Sequence, residues 1–184
     1  MKRLLEYGGI AASIVLIAFG IGATIIGIDG RARVRTELAR EQIVGTPDST
    51  IPNQLVDTGS EAQAFAKVMR KHALEATGGQ TYAQMPRFAT EDGKGTNDEQ
   101  AALKESGRPV DNPARNIWVT ETALTTALNT AYFAESTALF VIVMGIAMLL
   151  TGIGFLILTL RVLHLPTAVK EGRRAPREAA AVPH

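Results

Sequence analysis

Residues 136–160, STALFVIVMGIAMLLTGIGFLILTL, run for 25 positions without an ionisable acid, base or histidine, and residues 7–28, YGGIAASIVLIAFGIGATIIGI, carry no Asp, Glu, Lys, Arg or His over 22. At about 1.5 Å rise per residue, helices of these lengths reach roughly 38 and 33 Å, more than a hydrocarbon core of about 30 Å. The two stretches set the fold class: an all-α membrane protein with two transmembrane helices. The averages over all 184 residues, a net charge of +1 and 20% charged residues, conceal this. Outside the two stretches the chain is about 27% charged, a fraction typical of solvated protein. Met1-Lys2-Arg3 could open a signal peptide. However, an h-region is usually about 7–15 residues long. The first stretch ends in Ile25-Ile26-Gly27-Ile28-Asp29 with no clean small-x-small site, and so reads as an uncleaved anchor.

The division that follows is residues 1–6 as a cytoplasmic N-terminus, 7–28 and 136–160 as spans, 29–135 as an extracytoplasmic domain, and 161–184 as a basic, disordered cytoplasmic tail. Orientation rests on Lys and Arg near the span ends. Lys2, Arg3, Arg161, Lys170, Arg173, Arg174 and Arg177 lie outside the loop, against Arg31, Arg33, Arg35 and Arg40 just inside it. Long loops translocate largely regardless of charge. The expectation is a multi-pass protein of the cell membrane with both termini in the cytoplasm, although Arg31, Arg33 and Arg35 pull the other way.

An ionisable group in a bilayer is costly and marks ion paths or proton relays, so spans without any argue against a pump or voltage sensor. What the spans do carry is small residues in register. Ser13, Gly20 and Gly27 recur every seven positions, and so do Ala138, Gly145, Gly152 and Thr159. Seven residues nearly complete two turns, so each set lies on one face. Small residues let backbones approach closely where lipid already satisfies apolar surface. The sets read as packing seams, between the spans or toward a partner.

The loop carries 12 Lys/Arg and 15 Asp/Glu, and only 18 of its 107 residues are Leu, Ile, Val or Phe. Its helix signals predict a small, mostly helical domain. The first span should continue as helix to Val44, where Gly45-Thr46-Pro47-Asp48 stops it. Ser60 with Gln63 reads as a capping box for a helix closed by Gly78-Gly79, with Phe65, Val68, Met69, His72 and Ala76 on one face. A short helical stretch is expected near Asp98 to Glu105. Asn112-Pro113 caps a helix that should run unbroken from about Ala114 to Leu163.

Chemistry is sparse. Without cysteine there is no thiolate nucleophile or thiolate metal site. His72 is the only histidine of the loop, with His164 and His184 beyond the second span. A two-histidine metal centre in the loop of one chain is therefore excluded, and His72 reads as a partly buried helix residue facing the core. Glu91, Asp92, Asn97, Asp98 and Glu99 miss the EF-hand spacing and read as a solvated acidic turn. Gly93-Lys94-Gly95-Thr96 lacks the rest of a phosphate loop. No catalytic residue, cofactor, metal, nucleic acid or small-molecule substrate is indicated. The hydroxyls of Thr120, Thr122, Thr125, Thr126 and Thr130 should bond back to helix carbonyls or face partners.

The stretch 45–48 GTPD, the run 57–85 from DTGS through HALEATGGQTYAQM and the stretch 114–130 ARNIWVTETALTTALNT resemble those of a family of small two-span membrane proteins of actinobacteria. The resemblance covers most of residues 1–160 and brings no activity with it. Some members carry the automated name of small subunit of an aromatic ring-opening dioxygenase. Extradiol ring opening needs a two-histidine, one-carboxylate iron site, which the loop's single histidine does not allow. The leading expectation is a non-enzymatic scaffold or accessory protein of the cell envelope, acting with a protein partner or as a homo-oligomer. Its interaction surface would include His72, Tyr82, Asn116, Trp118 and Glu121. A sensor or ligand-binding module using residues 77–85 and 116–121 is the alternative. An oligomeric pore is a third, weakened by the absence of polar lining residues.

Overall fold

The computed structural model describes residues 2–164, with side chains from Leu5 to Arg161. The basic tail beyond residue 164, with the disorder expected of it, lies outside the described residues. Three helices dominate: α1 (Lys2–Arg40), α2 (Gly59–Ala76) and α3 (Ala114–His164), with strands β1 (Lys104–Glu105) and β2 (Arg108–Pro109) between the last two. α1 and α3 are both long and apolar enough to cross a membrane. The chain divides into two compact units, Met1–Ile25 with Val141–His184, and Ile26–Phe140.

The first unit is an antiparallel helix pair. Its buried line is made of small residues: Ser13, Gly20, Gly145 and Gly152 are buried, whereas Phe19, Ile25, Leu150 and Leu158 are more than half exposed. A seven-residue spacing of contact positions is that of helices in left-handed supercoiled packing, where the seam keeps facing the partner.

The second unit has a core of its own. Leu38 from the end of α1, Ala62, Phe65 and Ala66 of α2 and Leu128 of α3 are buried together with Val56, which is fully covered. A second cluster joins Ala73, Met85 and Trp118. The Trp118 indole N–H donates to Gln80 O at 2.9 Å, and Thr77 Oγ1 lies 3.3 Å away, so the ring's one polar atom is satisfied.

Several local expectations are corrected. α1 stops at Arg40, four residues short of Val44. Gln42 takes a left-handed φ of 54°, and the chain then pairs with the next segment through the Val44–Leu55 bridge and the hydrogen bond from Val56 N to Ile43 O. Gly45 is required there, because any Cβ would collide with Ile51 O. The capping box of α2 is Thr58 with Glu61, two residues before the Ser60–Gln63 pair. Thr58 accepts from Glu61 N–H, and the Glu61 carboxylate accepts from Thr58 N–H. No helix forms over residues 98–105. Ser106 and Gly107, with φ of 52° and 80°, turn the chain into the β1–β2 hairpin, the geometry of a turn with two left-handed central residues. Phe88 bridges Thr96 on one side and Asp111 on the other, which ties the turn-rich segment together.

α3 begins where Asn112-Pro113 predicts. Ala114 N–H donates to Asn112 Oδ1 at 3.1 Å, and Asn112 Nδ2 donates to Pro86 O at 3.0 Å. From there the helix runs unbroken to His164, one residue beyond the expected end.

Candidate functional site

In the first unit the seam residues bring backbone against backbone. A methyl group at Gly20 would lie 2.6 Å from Leu149 N and 2.7 Å from Gly145 O; one at Gly145 would lie 2.8 Å from Thr24 N. One at Gly152 would lie 3.0 Å from Ile17 N, and one at Gly9 would lie 2.7 Å from Thr159 Oγ1. Two hydroxyls of α1, the buried Ser13 and the half-buried Thr24, point back along their own helix, Ser13 Oγ donating to Gly9 O and Thr24 Oγ1 to Gly20 O, each at 2.7 Å. This is how a hydroxyl is satisfied without a partner helix. Gly27 is buried and Ala138 half-buried, both in the second unit, where Ala138 faces Gly30.

Also in the second unit, Glu135 stands at the centre of a charged knot. Its Oε1 accepts from Arg31 Nε and Arg35 Nε, both at 2.8 Å, and its Oε2 accepts from the Gly59 backbone N–H at the start of α2. Burial alone would raise its pKa. The Arg31, Gly59 and Arg35 hydrogen bonds outweigh that and hold it at about 2. Sequence reading missed this knot. The available signal was Glu135 itself, the one acid or base between Glu121 and Arg161.

The five residues expected at an interaction surface separate. Trp118 is 3% exposed and belongs to the core; it offers no surface. His72 does not face the core either. It is half-exposed, and its Nε2 lies 3.0 Å from Asp48 Oδ2, which also accepts from Lys71 Nζ at 2.9 Å. The hydrogen bonds from Lys71, Thr46 and His72 hold the Asp48 carboxyl well below the usual carboxylate range. Tyr82 and Asn116 line a polar hollow of about 490 Å³ with Arg87, Asp111, Asn112 and Arg115. The Arg115 guanidinium stacks 4.0 Å above the Tyr82 ring. Asn116 also borders a second concavity of about 480 Å³ between α2 and α3, lined largely by Met69, Ala73, Ala76 and Ile117, where His72 and Glu121 are found as well.

The acidic turn is internally bonded. Asp92 Oδ1 accepts from Thr90 Oγ1 and Lys94 N–H, and Asn97 Oδ1 accepts from Arg87 N–H. Of the threonine hydroxyls on α3, Thr130 bonds back to Thr126 O at 2.7 Å. Among the described residues no three His, Asp or Glu side chains are grouped as a metal site. Comparison with protein-family models, with curated proteins and with solved structures finds no match.

Proposed function

We propose that the chain is a non-enzymatic integral membrane scaffold or accessory protein of the cell envelope, related to the actinobacterial two-span family that its sequence resembles. In this reading residues 7–28 and 136–160 lie in the bilayer, residues 29–135 form an extracytoplasmic helical domain, and both termini are cytoplasmic. One observation carries it. The helix pair buries glycine and serine while turning Phe19, Ile25, Leu150 and Leu158 outward, the inverse of a water-soluble pair and the arrangement that lipid favours. The glycine faces are occupied within the chain, so a partner would meet the folded loop domain, and the Tyr82–Asn116 hollow is the surface we assign to it.

The chain has no cysteine, so introduced thiols report without background. Thr96→Cys should label from outside intact cells and Ala180→Cys should not; the opposite pattern reverses the topology. Release by alkaline carbonate would end the integral-membrane reading. A photocrosslinking residue at Tyr82 should give one discrete protein adduct in cells, and smeared or no adducts would remove the partner surface.

A second reading, an extracytoplasmic sensor or ligand-binding module, is favoured by the separate groove between α2 and α3. Its size falls in the range of small-molecule sites, about 300–1,000 Å³.

A further inference from the structure

A buried polar group is stable when its hydrogen bonds are made, and a buried carboxylate when it is also paired with positive charge. Among the described residues the buried polar or charged side chains are Ser13, Thr77, Glu121 and Glu135. Ser13 bonds to Gly9 O, Thr77 sits among Ala73 O, Gln80 O and the Trp118 indole, and Glu135 takes two arginines and a backbone N–H. Glu121 is different. It is 4% exposed, and the one hydrogen bond it receives comes from the neighbouring Thr122 hydroxyl at 3.3 Å, to Oε2. No donor reaches its Oε1, which is not sealed from solvent, and no basic side chain lies within ion-pair distance of it among the described residues. The nearby cation of α2, Arg70, is stacked on Trp118 instead, 5.3 Å from the ring centre.

Glu121 also lines the groove between α2 and α3, whose walls are otherwise mostly apolar: Met69, Ala73, Ala76 and Ile117. A lone carboxylate in an apolar concavity lacks one thing, a cation that brings its own apolar surface. The other polar side chains of the groove, His72, Asn116 and Thr120, add no second carboxylate, and no three acidic or histidine side chains are grouped as a metal site among the described residues. We propose that this groove binds a small organic ammonium ion, its N–H donors on Glu121 and its alkyl or aryl stem against Met69, Ala76 and Ile117. The proposal rests on the ligand-binding reading above and names the ligand class for it.

The test uses the full chain in lipid nanodiscs. Trp118 is the only tryptophan. It lies one turn from Glu121 on α3 and packs with Ala73, which lines the groove, so its fluorescence reports on occupancy. Titration with butylammonium should saturate, and 1-butanol, its uncharged counterpart, should bind at least tenfold more weakly. Glu121→Gln, which keeps shape and removes charge, should abolish the preference for the ammonium without moving the affinity for butanol. Equal saturation by both ligands in the wild-type protein would overturn the cation assignment while leaving an apolar ligand site standing. Saturation by neither, in fluorescence and in calorimetry, would overturn the assignment and the ligand-binding reading together. The comparison of the two ligands on wild-type protein holds even where the variant fails to fold.

Discussion

Gly20 and Gly145 meet backbone to backbone: a Cβ on the first would come within 2.7 Å of the carbonyl oxygen of the second, and the reverse distance is 2.9 Å. Neither can gain a side chain unless the helices separate there. Gly145→Ala should therefore destabilise the helix pair by about 1–3 kcal/mol, the usual cost of overpacking. Gly22→Ala, where a methyl group meets nothing within 4 Å, should change stability by no more than about 0.5 kcal/mol. Unfolding in graded denaturing detergent, followed by circular dichroism, distinguishes the two.

Glu135→Gln should cost about 2 kcal/mol or more, because two guanidiniums and the Gly59 N–H lose their shared charged acceptor. The same pairing predicts acid sensitivity. The folded-state pKa of about 2 lies below the ordinary 4.5, so the stabilisation is complete above pH 4.5 and is lost as the pH falls through about 2. The variant should show a flatter stability profile over that window; a wild-type profile in the variant would detach Glu135 from the acid response.

Thr58→Ala should destabilise the loop domain by about 1 kcal/mol, the typical loss of an N-cap, whereas Ser60→Ala should stay within about 0.5 kcal/mol. Chemical denaturation of the two variants side by side checks which residue starts α2.

Trp118→Phe keeps an aromatic ring in the core but removes the donor to Gln80 O. The expected loss is about 1 kcal/mol, from an acceptor left without its partner. Amide hydrogen exchange of residues 78–82 should rise with it, since the indole holds that turn against α3.

The long elements were legible because their signals are repetitive. Two uncharged runs and the Asn112-Pro113 start predict α3 within one residue at its C-terminal end. The heptads place Ser13, Gly20, Gly145 and Gly152 on one buried line. Short-range signals with near-equal competitors were not resolved. Thr58–Glu61 and Ser60–Gln63 both fit a capping pattern two residues apart, and the structure uses the pair that also engages Asp57 N–H. Residues 98–105 have helix-forming composition, but the left-handed Ser106-Gly107 turn draws them into a hairpin. His72 fits the apolar stripe of α2 by spacing, and Asp48, 24 positions earlier, holds it at the surface. At the candidate sites the deciding facts are long-range: the isolation of Glu121 and the convergence of Arg31 and Arg35 on Glu135 depend on segments that a local pattern does not connect.

That last convergence also orders events in time. Glu135 follows Arg31 and Arg35 by 104 and 100 residues. At a synthesis rate of roughly 5–20 residues per second, the arginines wait about 5–20 s for their counter-ion. For that interval the growing chain carries the two guanidiniums without the acceptor they share in the folded domain. The knot can therefore close only after nearly all of the Ile26–Phe140 unit has been made, which makes it a latch on a finished fold and not a nucleus for it.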